Sequence, residues 1–268
     1  MLNPALSKCY KKMFPFRLAT TSYIFPDQIA PNVAKLAPFL DEIELVLFES
    51  EGENNLPDED EMKVLMDVSL HEEMSYNVHL PIDIFLGDPD EEIRSKGVSV
   101  VKKMIDHTSC LNPSVYTLHF DLRNWNGQEE MDVETWQRLV IRSVKEILEC
   151  GINPRRISIE TLGYPFEWIE DIVKEFDFSI CLDIGHILIQ GQDLRAYFKK
   201  YLPDTSIIHL HGFQNGTDHL GIDRLSEPSL ELIFSHLHNF KGSLSMEVFS
   251  LDDLRRSLIV LEEKWARG

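Results

Sequence analysis

Short β-rich runs alternate with amphipathic stretches from one end of this 268-residue chain to the other. Each run is close to the usual length of a β-strand. The eight runs are Phe16–Thr21, Ile43–Phe48, Tyr76–His79, Val115–His119, Ile157–Glu160, Ser179–Asp183, Ser206–Leu210 and Ser243–Val248. Between them, apolar residues recur at helical spacing, as Val133, Trp136 and Val140 do. The alternation predicts parallel strands joined by helical crossovers.

Eight such β/α units in about 250 residues fit a closed barrel better than an open doubly wound sheet. No G-x-G-x-x-G fingerprint and no Walker-type loop follows the first run, which argues against the Rossmann and NTPase folds. The chain also shows no linker and no internal repeat. We therefore predict an α/β protein with one (β/α)8 TIM-barrel domain over residues 1–268.

The charge balance restricts the possible partners. Acidic residues outnumber basic ones by 45 to 26, which gives a formal net charge of −19. Such a surface repels the phosphate backbone, so we predict a small-molecule substrate and no nucleic-acid partner. No apolar run approaches the roughly 18 residues that a membrane span needs, and residues 1–16 lack the pattern of a signal peptide. The prediction is a cytoplasmic protein without a membrane partner.

Side chains that can bind metals follow the ends of six successive predicted strands. They are His79, His119, Glu160, Asp183 with His186 one turn later, His209 with His211, and Glu247. The carboxyl ends of barrel strands converge on one mouth, where active sites form, so these residues are expected to be neighbours. Carboxylates gathered there would repel one another unless cations neutralised them. Imidazole together with carboxylate suits zinc, manganese or iron, and the sequence therefore predicts a divalent metal site.

Each of these residues taken alone also has a structural interpretation. A histidine after a strand can be held by a backbone carbonyl, and an Asp or Glu can cap a helix, but six consecutive strands with the same feature favour a metal site. His219, in the loop GTDHLGIDR after the seventh strand, is a further candidate ligand. We predict substrate contacts for His211 and Asp218. Four other histidines fall in helical patterns and are not assigned a role: His71, His107, His236 and His238.

The ordered set of strand-end residues resembles the xylose isomerase-like barrel superfamily, which includes sugar isomerases, epimerases and the endonuclease IV group. The resemblance covers almost the whole chain. It implies that one metal is shared by four residues, here Glu160, Asp183, His209 and Glu247. The metal is expected to be zinc or manganese.

The phosphodiester-cleaving branch of that superfamily implies a second metal, held by His79 and His119 with Glu160 as a bridge. That branch also has a D-x-x-H step, matched here by Asp183 and His186, and a later D-x-H that completes a third site. This chain departs from the last pattern, because Asp218 is directly followed by His219. His186 with His211 or His219 is the alternative for a third ion, so the resemblance implies two or more metals.

A narrower resemblance is to the cobamide-remodelling phosphodiesterases of the same superfamily. It rests on the segments RLATTSYIFPDQIAPNV (Arg17–Val33), IELVLFES (Ile43–Ser50) and YNVHLPIDIFLG (Tyr76–Gly87). It implies a corrinoid substrate that carries a lower nucleotide loop. The implied reaction cuts a phosphodiester in that loop and leaves a corrinoid phosphate and a nucleoside.

Three classes of function remain open at this stage. The first is a metal-dependent phosphodiesterase with Glu160, Glu247 and His186 as catalytic residues. The alternative is a sugar isomerase or epimerase, in which one metal polarises a ketose oxygen and Glu160 and Glu247 move a proton. The third is a corrinoid-binding or metal-binding protein without catalysis. An abasic-site endonuclease is disfavoured by the acidic charge balance.

Overall fold

In the computed structural model, which describes residues 6–50, 53–122 and 132–266, eight parallel strands close into a barrel. Barrel strands β1 to β8 are Arg17–Thr21, Glu42–Val46, Ser75–His79, Tyr116–Leu118, Ile157–Glu160, Ser179–Asp183, Thr205–Leu210 and Ser243–Met246. Each strand pairs in parallel with its neighbours in chain order, and β1 closes the circle against β8. All eight strands lie within the runs predicted from the sequence or extend them by one residue, which confirms the predicted fold class.

Helices follow the strands in the order expected of a TIM barrel. Within the described residues, α1 to α9 are Ile29–Leu36, Glu59–Glu72, Glu91–Thr108, Val133–Leu148, Glu170–Glu175, Ile184–Ile189, Leu194–Tyr201, Glu227–Leu237 and Leu251–Trp265. Local sequence explains several helix boundaries. The Ser250 side chain accepts a hydrogen bond from the backbone of Asp253 and so caps α9. The Asp58 and Glu61 side chains form a reciprocal capping box at the start of α2.

Two short antiparallel hairpins interrupt the alternation. One pairs Glu49–Ser50 with Glu53–Asn54 after β2, and the other pairs Gly212–Gln214 with Thr217–Leu220 after β7. The second hairpin carries His219 beside the barrel mouth, at a positive φ of 53°. No helix among the described residues has both the length and the hydrophobicity to cross a membrane.

Strand β2 contributes to two buried regions, the layer between the strands and the helices and the lumen inside the barrel. Ile43 and Leu45 are buried in the main apolar cluster, which fills the layer between strands and helices. Glu42 and Glu44 alternate with them and are also buried, but they bond to polar side chains of other strands. Because successive strand residues point to opposite faces, the second set faces the lumen. The part of the lumen beside β2 is therefore polar, unlike the packed aliphatic interior usual for this fold.

Candidate metal centre

The structure brings the predicted ligands together at the carboxyl end of the barrel. Three of them, His79, Glu160 and Asp183, are the last residues of β3, β5 and β6. His119 directly follows β4, and Glu247 directly follows β8. Strand β7 supplies His209 and is followed at once by His211, while α6 supplies His186. Within the described residues, these side chains form several overlapping groups whose nitrogen and oxygen atoms are close enough to share ions.

The first group contains His79, His119 and Glu160. The Nε2 atoms of His79 and His119 lie 3.3 and 3.0 Å from the same carboxylate oxygen, Oε2 of Glu160. The two rings meet edge to face at a centroid distance of 5.0 Å. Two imidazole nitrogens thus converge on one carboxylate, which is a donor set that zinc or manganese accepts.

The second group shares Glu160 with the first and adds Asp183, His209 and Glu247. His209 Nδ1 lies 3.4 Å from Glu160 Oε2, 3.4 Å from Glu247 Oε2 and 4.0 Å from Asp183 Oδ2. Glu160 therefore stands between the two groups, as the superfamily resemblance implies for a bridging carboxylate.

The third group is formed by His186, His211 and His219. The ring centroids of His211 and His219 are 4.3 Å apart, and His186 lies 5.4 and 5.7 Å from them. His211 Nε2 is 3.2 Å from Asp183 Oδ1, so this group adjoins the second. Asp218 contacts His219 Nδ1 at 3.1 Å, and half of the Asp218 side chain is exposed to solvent.

Asp183 performs two tasks at once. Its Oδ1 accepts a hydrogen bond of 2.7 Å from the backbone of His186 and so caps α6. Its Oδ2 is left for the centre, 3.4 Å from His186 Nδ1. The D-x-x-H step seen in the sequence is therefore an N-cap with a histidine three residues into the helix, and the geometry is compatible with both the helix-capping and the metal interpretation.

Four buried polar atoms at this centre have no hydrogen-bond partner among the described residues. They are Asp183 Oδ2, His209 Nδ1, His211 Nε2 and Glu247 Oε2. An unpartnered buried polar atom costs roughly 1–3 kcal/mol, so four of them converging on one place would be costly in a site built for nothing else. His211 accepts the backbone N–H of His219 at Nδ1, so its Nε2 carries a proton that faces Asp183. The lone pairs of Asp183 Oδ2, His209 Nδ1 and Glu247 Oε2 are what a divalent cation requires, and these residues fit the predicted metals.

The carboxylates at the centre have histidines as their ion-pair partners. Burial alone would raise the pKa of Glu160, but the imidazoles of His119 and His209 outweigh it and hold that pKa well below its usual range. Burial would likewise lower the pKa of His119, yet the Glu160 and Asp121 carboxylates raise it well above the usual value. For His219, Glu247 and Asp218 overcome burial and raise the pKa to about 9. The carboxylates thus favour positive charge at the centre. Protons and divalent cations would compete for the same nitrogen and oxygen atoms.

Two residues outside the predicted set hold the histidines in place. Glu44 Oε1 lies 2.9 Å from His209 Nε2, and Asp121 Oδ2 lies 3.1 Å from His119 Nδ1. Sequence reasoning missed both. The available signal for Glu44 was its position inside the apolar strand EIELV, where an acidic residue needs a buried partner. The Nδ1 atom of His79, in contrast, faces a backbone carbonyl, that of Leu80, at 2.8 Å.

Comparisons with solved structures show the same fold. A D-tagatose 3-epimerase-like protein has a TM-score of 0.75 at 20% identity over 94% of this chain and 98% of its own. An L-ribulose 3-epimerase has a TM-score of 0.73 at 12% identity, with coverages of 94% and 95%. Endonuclease IV from Thermus thermophilus has a TM-score of 0.69 at 15% identity, with coverages of 92% and 99%. Identities this low concern the fold alone.

The sequence comparisons agree with this architecture. No curated protein has a significantly similar sequence. Residues 33–264, however, match the family described as xylose isomerase-like TIM barrel, from α1 to the end of the last helix. The chain therefore belongs to the xylose isomerase-like TIM barrel family.

Proposed function

We propose that the protein is a metal-dependent phosphodiesterase that hydrolyses a small phosphodiester. One observation carries the proposal: His79 and His119 converge on an oxygen of Glu160, next to the four residues that would already hold one metal. A single-metal isomerase has no need of this second donor set. The third histidine group adds further capacity for cations around one phosphate.

In this proposal, divalent cations when bound supply positive charge for the phosphate oxygens and lower the pKa of a nearby water. Glu160 would be shared by the first and the second ligand group, since its Oε2 contacts histidines of both. We assign Glu247, which is 5% exposed, and His186, which is more open, to move a proton at the attacking and the departing oxygen. His211 and Asp218 are assigned to substrate contacts at the rim.

The test is the double variant His79→Ala, His119→Ala, with His71→Ala, an exposed residue of α2, as the matched control. Metal content is measured by elemental analysis, and activity with bis(p-nitrophenyl) phosphate. The double variant should lose about one metal per chain and at least ~100-fold in hydrolysis, whereas the control should keep both. Full hydrolysis by the double variant, or by chelator-stripped wild-type protein, would contradict the proposal.

The finer substrate assignment is the nucleotide loop of a cobamide, and it is supported only by the resemblance of the segments 17–33, 43–50 and 76–87. Incubation of the metal-loaded protein with a cobamide should yield a corrinoid phosphate and a nucleoside, detected by mass spectrometry. Hydrolysis of simple diesters without any cleavage of the cobamide would reject this substrate and leave the reaction class intact.

A sugar epimerase is the second candidate, and the structural neighbours support it more directly than the hydrolase, since most of them are ketose 3-epimerases or related enzymes. Glu160 and Glu247 each lie 3.4 Å from Nδ1 of His209, so two carboxylates near one metal site could exchange a proton with carbon. Incubation of ketoses in deuterated water discriminates: an epimerase incorporates deuterium beside the carbonyl and keeps its metal in the double variant.

A further inference from the structure

We propose that Glu44 is a positioning residue that selects which nitrogen of His209 faces the metal centre. The inference rests on the metal-binding part of the proposed function and is independent of the reaction catalysed. Glu44 lies in the interior of β2, two residues before the end of the strand. Its carboxylate lies in the lumen beneath the centre, next to His209.

The contacts of Glu44 account for both of its oxygens. Oε1 lies 2.9 Å from His209 Nε2, and Oε2 accepts a hydrogen bond of 2.5 Å from Ser245 Oγ. Glu44, His209 and Ser245 are all completely buried. His209 and Ser245 are also paired in register on the neighbouring strands β7 and β8. The carboxylate thus connects three strands of the barrel beneath the metal centre.

An ionised carboxylate is only an acceptor, so the Nε2 atom facing it must carry the proton. A neutral imidazole then has its free lone pair on Nδ1. This is the atom of His209 that faces Glu160, Asp183 and Glu247 and that has no hydrogen-bond partner within the described part of the chain. Glu44 therefore fixes both the tautomer and the orientation that a metal ligand at this position needs.

His209 is oriented oppositely to the ligands of the first group. His79 and His119 direct Nε2 at the centre and turn Nδ1 outward. For His79 the outward partner is a main-chain carbonyl, which no substitution removes. For His209 the nitrogen that faces away from the centre contacts the side chain of Glu44. The orientation of His209 therefore depends on this residue and can be tested by replacing it.

The experiment compares Glu44→Ala and Glu44→Gln with Glu42→Gln. Glu42 is a suitable control because it is equally buried, lies on the same strand and face, and bonds to Asn77 and Ser243 rather than to a predicted ligand. Metal-free protein is titrated with Zn²⁺ to obtain affinity and stoichiometry, and 15N-histidine NMR reports the tautomer of each ring. Thermal unfolding confirms that every variant is folded.

We expect Glu44→Ala to bind Zn²⁺ about 10–100-fold more weakly and to lose the Nε2-protonated signal assigned by comparison with His209→Gln. Glu44→Gln should weaken binding less, because its amide oxygen can still accept from Nε2, and Glu42→Gln should match wild type. If Glu44→Ala does not fold, the isosteric Glu44→Gln decides through its Zn²⁺ affinity, which should still fall below that of wild type.

Wild-type affinity in the Glu44 variants, or an unchanged tautomer in Glu44→Ala, would overturn the inference. An equal loss in Glu42→Gln would overturn it too, because the effect would then be one of general packing. Since neither readout involves a substrate, failure to hydrolyse any phosphodiester would count against the proposed function and leave this inference standing.

Discussion

The two ends of the barrel lumen differ in whether their buried carboxylates have hydrogen-bond partners. At the amino end, both oxygens of Glu42 are satisfied: Oε1 contacts Arg17 Nε at 3.3 Å and Ser75 Oγ at 2.9 Å, and Oε2 accepts from Asn77 Nδ2 at 3.0 Å and from Ser243. This network joins the first residues of β1, β2, β3 and β8. Folding alone satisfies both oxygens of the Glu42 carboxylate, although Asn77 Oδ1 in the same network has no hydrogen-bond partner among the described residues.

At the carboxyl end, folding leaves the set incomplete. Asp183 Oδ2, Glu247 Oε2, His209 Nδ1 and His211 Nε2 are buried and have no hydrogen-bond partner in residues 6–50, 53–122 and 132–266. Their contacts with one another and with neighbouring groups are ion pairs of 3.2 Å or longer. Glu42 shows that this barrel can satisfy both oxygens of a buried carboxylate. The missing hydrogen bonds at the mouth are therefore a property of that site and not of the barrel interior in general. The carboxylate at the amino end of the lumen is satisfied by folding, and we predict that the open groups at the carboxyl end are arranged to bind cations.

Removal of divalent cations should have the largest effect and should fall on the mouth alone. We expect chelation to abolish hydrolysis and to lower the free energy of unfolding, by about 4 kcal/mol if the protein is compared at metal concentrations 1,000 times Kd. Thermal unfolding and diester hydrolysis are measured before the cations are removed, after their removal and after Zn²⁺ or Mn²⁺ is returned. Unchanged stability and activity after stripping would remove the contrast between the two ends.

Gly185→Ala should have the next largest effect, confined to the third histidine group. A Cβ at this position in α6 would lie 2.1 Å from Cε1 of His211, so the ring must move and its contact with Asp183 must lengthen. We expect about 10–100-fold weaker metal binding at this group, measured by Zn²⁺ titration calorimetry. Gly163→Ala is the control, because its Cβ would meet its nearest neighbour, Gln190, at an ordinary 3.4 Å. Equal titration curves for the two variants would contradict the prediction.

Glu42→Ala should have the smallest effect on the metal centre and a clear one on the fold. It leaves Asn77 and Ser243 without their buried acceptor, and we expect a loss of about 2–3 kcal/mol in the free energy of unfolding, measured in urea. Zn²⁺ stoichiometry of the folded variant should equal that of wild type. A folded Glu42→Ala protein that no longer binds metal would show that the two ends are coupled.

The sequence predicted the barrel and its mouth well, because both depend on local patterns. Each strand follows from its own run of residues, and a residue at a strand end needs no knowledge of its neighbours to be placed at the mouth. That is why His79, from YNVH, and Glu160, from ISIE, could be predicted to be close although 81 positions separate them in the chain.

The supporting contacts could not be predicted in this way. That Glu44 meets His209 depends on the register and curvature of the closed barrel, which relate β2 to β7 across the lumen. The role of Asp121 depends on how the backbone turns after His119. The third histidine group required the 212–220 hairpin to fold back so that the backbone N–H of His219 reaches His211 Nδ1 at 3.1 Å, a tertiary contact with no periodic signature.

The double use of Asp183 has a consequence for how the protein can change over evolution. Because one oxygen is tied to the start of α6 and the other faces the centre, the first turn of the helix sets the position of His186 relative to the strand. Inserting or deleting a single residue at Ile184 or Gly185 would rotate that turn by about 100° and swing His186 out of reach. The spacing from Asp183 to His186 therefore cannot change without separating two groups of predicted ligands.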